Sequence, residues 1–138
     1  SFSLLPLVEG AIPMMKKRGG GSIVSMSFIG SVLAVPHYHV MGPAKASLEA
    51  SSRYLAKEVG PDNIRVNVIS PGPIKTLSAS GIKDFAELMK IGGAHSAMKR
   101  TVTQEEVAQT AVFLASDASS GITGQVIYVD CGYSIMAN

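Results

Sequence analysis

Gly60-Pro61-Asp62-Asn63-Ile64-Arg65-Val66-Asn67-Val68-Ile69-Ser70-Pro71-Gly72-Pro73 is the stretch on which the fold turns. Its first four residues have turn composition, and Ile64 to Ile69 is β-branched and at first alternating, so it reads as a strand. A loop with two prolines opens at its end. Upstream, Val40 to Val59 carries Ala44, Leu48, Ser51, Leu55 and Val59 at helical spacing. Ser22 to Ser27 mixes apolar and hydroxyl residues in the manner of a buried strand, and Gly19-Gly20-Gly21 separates it from a helical stretch, Phe2 to Met15. That first helix has the small and apolar composition of one buried on more than one side, with Pro6 and Pro13 expected to bend or interrupt it. Downstream, Thr76 to Gly93 is weakly helical and broken by glycines, a composition suited to a mobile flap. Thr103 and Glu106 are spaced as a capping box, which starts a helix running to about Ala115. Ser119 to Gly124 turn the chain into a third strand, Gln125 to Val129.

Helices and strands therefore alternate, which predicts an α/β fold: a parallel sheet with right-handed crossovers and helices on both faces. With no repeat, low-complexity run or linker, residues 1–138 read as a single domain. Ligands of such open sheets bind beyond the carboxyl ends of the strands, here just after Ser27, Ile69 and Val129.

At 138 residues and 46% apolar, the chain can build a core, and a net charge of +2 with scattered basic residues gives no reason to expect a nucleic-acid partner. The short run Lys16-Lys17-Arg18 suits a helix C-terminus, where cations complement the dipole. A lone Cys131 excludes a disulfide framework and fits a reducing cytosol or organelle interior. Charges interrupt every apolar run, so no membrane span is expected. The opening Ser-Phe-Ser-Leu-Leu-Pro-Leu reads poorly as a signal peptide and better as a chain cut mid-fold. His37 and His39 lack a third partner, so no metal site is expected of them.

Tyr38 and Lys45 carry the chemistry. Seven residues are nearly two helical turns, which would put both on one face about 10 Å apart along the axis. Pro43 is tolerated only in a first turn, so the helix is expected to begin near Val40, with Tyr38 at its mouth and Lys45 pointing to the same cleft. An ammonium strengthens a nearby phenol as a donor to a carbonyl oxygen on which negative charge develops. Lysine can also hold the hydroxyls of a sugar. Spacing alone equally admits a plainer arrangement, in which Lys45 pairs with Glu49 and Tyr38 simply packs.

Pro36 to Glu49, Arg65 to Leu77 and Val129-Asp130-Cys131-Gly132-Tyr133 together resemble the enoyl acyl-carrier-protein reductases of the short-chain dehydrogenase superfamily. The resemblance runs from Ser1 to the C-terminus, and the spacing of Tyr38 and Lys45 is its specific mark. In the wider superfamily the tyrosine precedes the lysine by four, where this chain has Met41, which favours the enoyl branch over carbonyl reductases. The resemblance implies a Rossmann-like doubly wound sheet, of which this is the C-terminal half. It implies an activity too: reduction of enoyl thioesters on acyl carrier protein by NADH, with NADPH as the alternative cofactor. Tyr38 would donate to the thioester carbonyl, and Lys45 would hold the nicotinamide ribose. Phe28 stands where many members have a second tyrosine. Ser27, Ile74, Lys75, Thr76, Leu77 and Ser78 would line the cofactor, with Met41, Ile82 and Phe85 beside the acyl chain.

The family's phosphate-cradling glycine turn would lie upstream of Ser1, since Gly19-Gly20-Gly21 precedes a strand rather than following one. A chain holding only the last three strands should expose the first as an unpaired apolar edge and bind NADH poorly alone. A homotetramer is implied, packed through the first two helices, where Ala44, Ala46, Ala50, Ser51 and Ser52 would permit close approach. The family also implies a cytoplasmic or plastid-type location. The competing readings are an inactive fragment or scaffold subunit of the same fold and a carbonyl reductase of the same superfamily.

Overall fold

The computed structural model describes residues 3–74 and 85–137, with residues 85, 86 and 88 as backbone only. Helix α1 (Leu4–Lys17) leads to strand β1 (Gly21–Met26), α2 (Met41–Val59), β2 (Ile64–Pro71), α3 (Phe85–His95), α4 (Gln104–Ala115) and β3 (Val126–Val129). The three strands are parallel in the order β1-β2-β3, with Gly21 opposite Ile64 and Val68 opposite Val126. Helices separate the strands as expected, with two of them, α3 and α4, between β2 and β3, and the flap helix runs on to His95 rather than stopping at Gly93.

Two cores, one on each face of the sheet, explain why the central strand is buried along nearly its whole length. Ile64 and Val66 pack with Leu4, Val8, Leu55 and Val59 of α1 and α2. Ile69 packs on the other face with Val102, Val107 and Leu114 around α4. On that second face the polar residues of β2 bind backbone instead of solvent. Arg65 donates to the carbonyls of Leu114 and Ser116 at the end of α4, and Asn67 donates to Ile122 O and accepts from Gln125 N. Those bonds satisfy buried groups and fix the turn that feeds β3.

Neither proline interrupts α1. Pro6 lies in the first turn, where amides have no intrahelical partner in any case, and the helix continues through Pro13 to Lys17. It ends in a Schellman arrangement: Gly19, at φ 81°, donates to Lys16 O, and Gly20 donates to Met15 O. Lys16 sits at the negative end of the dipole and pairs with Asp62 at 2.8 Å. Contrary to the expected burial on several sides, α1 buries one stripe, Leu4 and Val8, with Ile12 and Met15 partly covered. Leu5, Leu7 and Met14 face outward.

The capping box of α4 is present in both halves, Glu106 N to Thr103 Oγ1 and Thr103 N to Glu106 Oε2. Arg100 adds a forked ion pair to the same carboxylate. Among the described residues β1 is paired on one side alone, and Ile23 and Val24 are only half-buried. No helix among the described residues is long and apolar enough to cross a membrane.

Candidate active site

The parallel register delivers three strand ends to one edge of the sheet. Met26 lies opposite Ile69, and Pro71 lies opposite Val129, so the segments after them emerge side by side. Gly72 holds two of these exits together. Its amide donates to Val129 O, and a Cβ there would come within 3.1 Å of Asp130 Cα. Asp130 in turn accepts from the amides of Gly132 and Ser134, which fixes the turn after β3 and the left-handed backbone at Cys131.

Tyr38 reaches this edge through the loop between β1 and α2. His37 takes a left-handed conformation, φ 60°, and Tyr38 O then accepts from Gly42 N in the first turn of α2. Pro43 falls within that turn, and α2 begins at Met41 with Val40 as its cap, in line with the expected start. Two glycines make room. A Cβ on Gly42 would sit 2.9 Å from Gly30 O, and one on Gly30 would sit 2.6 Å from the Tyr38 ring. The ring is half-buried and packs edge to face on Phe28, with centroids 5.1 Å apart. Burial pushes the phenol above its ordinary pKa, so it stays protonated as a donor at neutral pH.

Lys45 lies on the first turns of α2 and reaches back to β1, donating to Met26 O at 2.8 Å. Burial lowers its pKa, and the charge of Glu49 one turn on opposes that shift. Tyr38 and Lys45 are thus tied to one short piece of chain, residues 26–30, by an aromatic contact and a hydrogen bond. The plainer arrangement is only partly realised. Glu49 is felt electrostatically by Lys45, yet its carboxylate is bonded to the hydroxyl of Ser27.

Of the residues expected to line a cofactor, Ser27 is turned inward, 4% exposed, with its hydroxyl committed to Glu49 and its amide to Ile69 O. Ile74 packs its side chain into the core around α4, which leaves its backbone as the part nearest the edge. Met41 is exposed at the start of α2. Lys75, Thr76, Leu77, Ser78 and Ile82 lie outside the described residues, as does the side chain of Phe85. Sequence reasoning noticed Glu49 only as a surface partner for Lys45. Its burial at 7% was not foreseen, because an acidic residue one turn from a lysine ordinarily signals a solvated pair.

A nicotinamide-linked ribose presents vicinal hydroxyls, and the donor set here suits them. An ammonium carries three donors, and Lys45 spends one on Met26. Ser70, at the end of β2, keeps a buried hydroxyl with no partner among the described residues, as do Ser25 and Ser31.

Comparison with known proteins identifies the family. The family model described as enoyl-(acyl carrier protein) reductase matches residues 1–134. The chain is 55% identical to FabI, the NADH enoyl-acyl-carrier-protein reductase of Nostoc sp., over 136 residues, and 55% identical to the FabI of Neisseria meningitidis over 137. In both cases 99% of this chain is covered against 52% of the relative, so the chain spans about half the length of these curated relatives. Two solved structures overlay closely. The Bacillus cereus enoyl-acyl carrier protein reductase with NADP+ and an indole naphthyridinone has a TM-score of 0.95 at 47% identity, covering 100% of this chain and 53% of that one. The Anaplasma phagocytophilum enzyme in complex with NAD has a TM-score of 0.93 at 42% identity, covering 99% and 52%. By the match of its sequence along nearly its whole length, and of its fold, this chain belongs to the enoyl-(acyl carrier protein) reductase family.

Proposed function

We propose that the protein reduces the trans-2 double bond of enoyl thioesters carried on acyl carrier protein, using NADH, in fatty-acid elongation. The observation that carries this reading is the fixing of Tyr38 and Lys45 to one strand exit, through Phe28 and Met26. The relatives named NADH reductases support NADH, and the NADP+ bound by the Bacillus cereus protein keeps NADPH as the alternative.

Bound reduced nicotinamide supplies the hydride. The residues of this chain orient and stabilise. Lys45 would hold the nicotinamide ribose with the donors left free by Met26. The phenol of Tyr38, protonated at neutral pH, would donate to the thioester carbonyl oxygen, where negative charge gathers as the double bond is reduced. Phe28 stacks against that ring and limits its rotation without offering a second hydroxyl. Met41, exposed at the start of α2, would touch the acyl chain, as would Ile82 and Phe85; Ile74 to Ser78 would follow the nicotinamide and pyrophosphate.

The reading extends to assembly. The outward apolar residues of α1 and a groove of about 350 Å³ lined by Leu5, Ser47, Ala50, Ser51, Tyr54 and Glu58 support packing of α1 and α2 against copies of themselves in a homotetramer. Ser52 takes no part in that face, since it is buried with its hydroxyl on Leu48 O. The open edge of β1, and relatives about twice as long, support a single domain whose sheet continues past β1. A cytoplasmic location goes with this chemistry.

The test is an assay of the full-length protein with a crotonyl thioester of acyl carrier protein and NADH. Saturable NADH oxidation is expected. Turnover of a ketone but not of the enoyl thioester would assign it to the carbonyl-reducing branch instead.

A further inference from the structure

Met26 and Ser27 are consecutive at the exit of β1, and Lys45 and Glu49 are one turn apart on α2. The four residues form a clamp of opposite polarities: the Met26 carbonyl accepts from the Lys45 ammonium, and the Ser27 hydroxyl donates to the Glu49 carboxylate. Both members of the second contact are buried. A carboxylate in such a place is costly unless it is paired and hydrogen-bonded, and a neutral residue of similar volume would fill the same space. Packing therefore gives no reason for an acid at position 49.

We propose that Glu49 is a positioning residue for Lys45: anchored by Ser27, its carboxylate counter-charges the half-buried ammonium and keeps it extended toward the strand exit as a donor for ribose hydroxyls. This rests on the functional reading above for the identity of the ligand. The clamp itself rests on geometry alone. Among the described residues Glu49 is the charged group that acts on Lys45, against the burial that would otherwise favour its neutral form. The other titratable groups in the segments at this edge are His37, Tyr38 and His39 before α2, and Tyr128, Asp130, Cys131 and Tyr133 on and after β3. Tyr128 feels both Glu49 and Asp130, which raise its pKa after burial does. Removing the charge at 49 is therefore read on the resonance of Lys45 itself, which separates its effect on the ammonium from its effect on Tyr128.

The experiment follows Lys45 in full-length protein labelled with ε-13C-lysine, without cofactor, its resonance assigned by Lys45→Met. In Glu49→Gln the titration midpoint of Lys45 should fall by roughly one pH unit, the size expected for losing one nearby opposite charge at a partly buried site. The alkaline loss of NADH affinity should move down in pH with it, and the KM for NADH should rise before kcat falls. Glu49→Met, also neutral, should behave the same way. A midpoint unchanged in a folded neutral variant overturns the proposal. Failure of both variants to fold also overturns it, by assigning Glu49 to stability. A wild-type protein that neither binds NADH nor reduces the thioester overturns the functional reading and the ribose as ligand, and is told apart from the first failure because the lysine titration needs no cofactor.

Discussion

The ring of Tyr38 meets that of Phe28 edge to face, at 5.1 Å between centroids and 63° between planes. A second contact fixes the phenol, since Gly30 lies against the same ring where any Cβ would collide with it. The hydroxyl is the remaining variable part. In Tyr38→Phe the packing survives and the donor is lost, so kcat of the full-length enzyme should fall by about 100- to 1000-fold, the usual cost of one donor to a developing oxyanion. Dissociation of NADH, measured by fluorescence titration, should stay within about threefold of wild type. Equal losses in both would reassign Tyr38 to cofactor binding.

Gly30→Ala probes the same ring through a different contact. A methyl 2.6 Å from Tyr38 Cδ1 must displace it, and a displacement near 1 Å at a reacting group can cost about 100-fold in rate. We expect kcat to drop by more than about tenfold, while far-ultraviolet circular dichroism at room temperature remains that of the wild type. An active Gly30→Ala enzyme would show that the ring position seen here is not the one used in turnover.

Lys45 should trade stability for binding. Its folded-state pKa is lowered, so the native state releases the proton before the unfolded state does. The cost of burying the charge is present below the lowered pKa and is relieved as pH rises from there toward 10.5. Lys45→Met should therefore melt no lower than wild type at pH 7, with any gain shrinking in alkaline buffer. NADH affinity should weaken by about 10- to 100-fold, the range for hydrogen bonds to a charged group. A clear drop in Tm at pH 7 would contradict a site residue held at a cost to the fold.

Glu106 behaves in the opposite sense. Its carboxyl is pulled down to about 2 by the Arg100 guanidinium and then by the Thr103 amide. A depressed carboxyl contributes stability above its ordinary value near 4.5, and that contribution is lost as pH falls toward 2. Glu106→Gln should lower Tm at pH 7 and flatten its dependence on pH between those values. Thr103→Ala should cost about 1 kcal/mol by removing the cap of α4. Denaturant melts across that pH range would detect both, and an unaltered acid slope in Glu106→Gln would refute the assignment.

How far the sequence reached can be judged at particular residues. Periodicity and turn composition located the parallel strands, and Thr103 with Glu106 announced both bonds of the α4 cap, because these signals act within a few residues. Pro43 likewise fixed the start of α2, and the spacing of Tyr38 and Lys45 identified the pair. Sequence alone could not tell whether that pair was catalytic or incidental, since either arrangement satisfies the same spacing. Pro6 and Pro13 looked like breaks in α1, yet neither interrupts it: Pro6 falls in the first turn, where no amide bond is lost, and the helix runs through Pro13 to Lys17.

What only tertiary structure decided are the contacts between residues far apart in the chain. The hydroxyl of Ser27, a residue expected beside the cofactor, is taken up by Glu49, which the packing of α2 on the exit of β1 brings over it from 22 positions later in sequence. Met26 became the acceptor for Lys45 by the same approach. Composition determined the alternation and the identity of the chemical groups, which are local properties. Burial, and with it the charge state and aim of those groups, depends on which faces meet when two elements pack, and no local pattern encodes that.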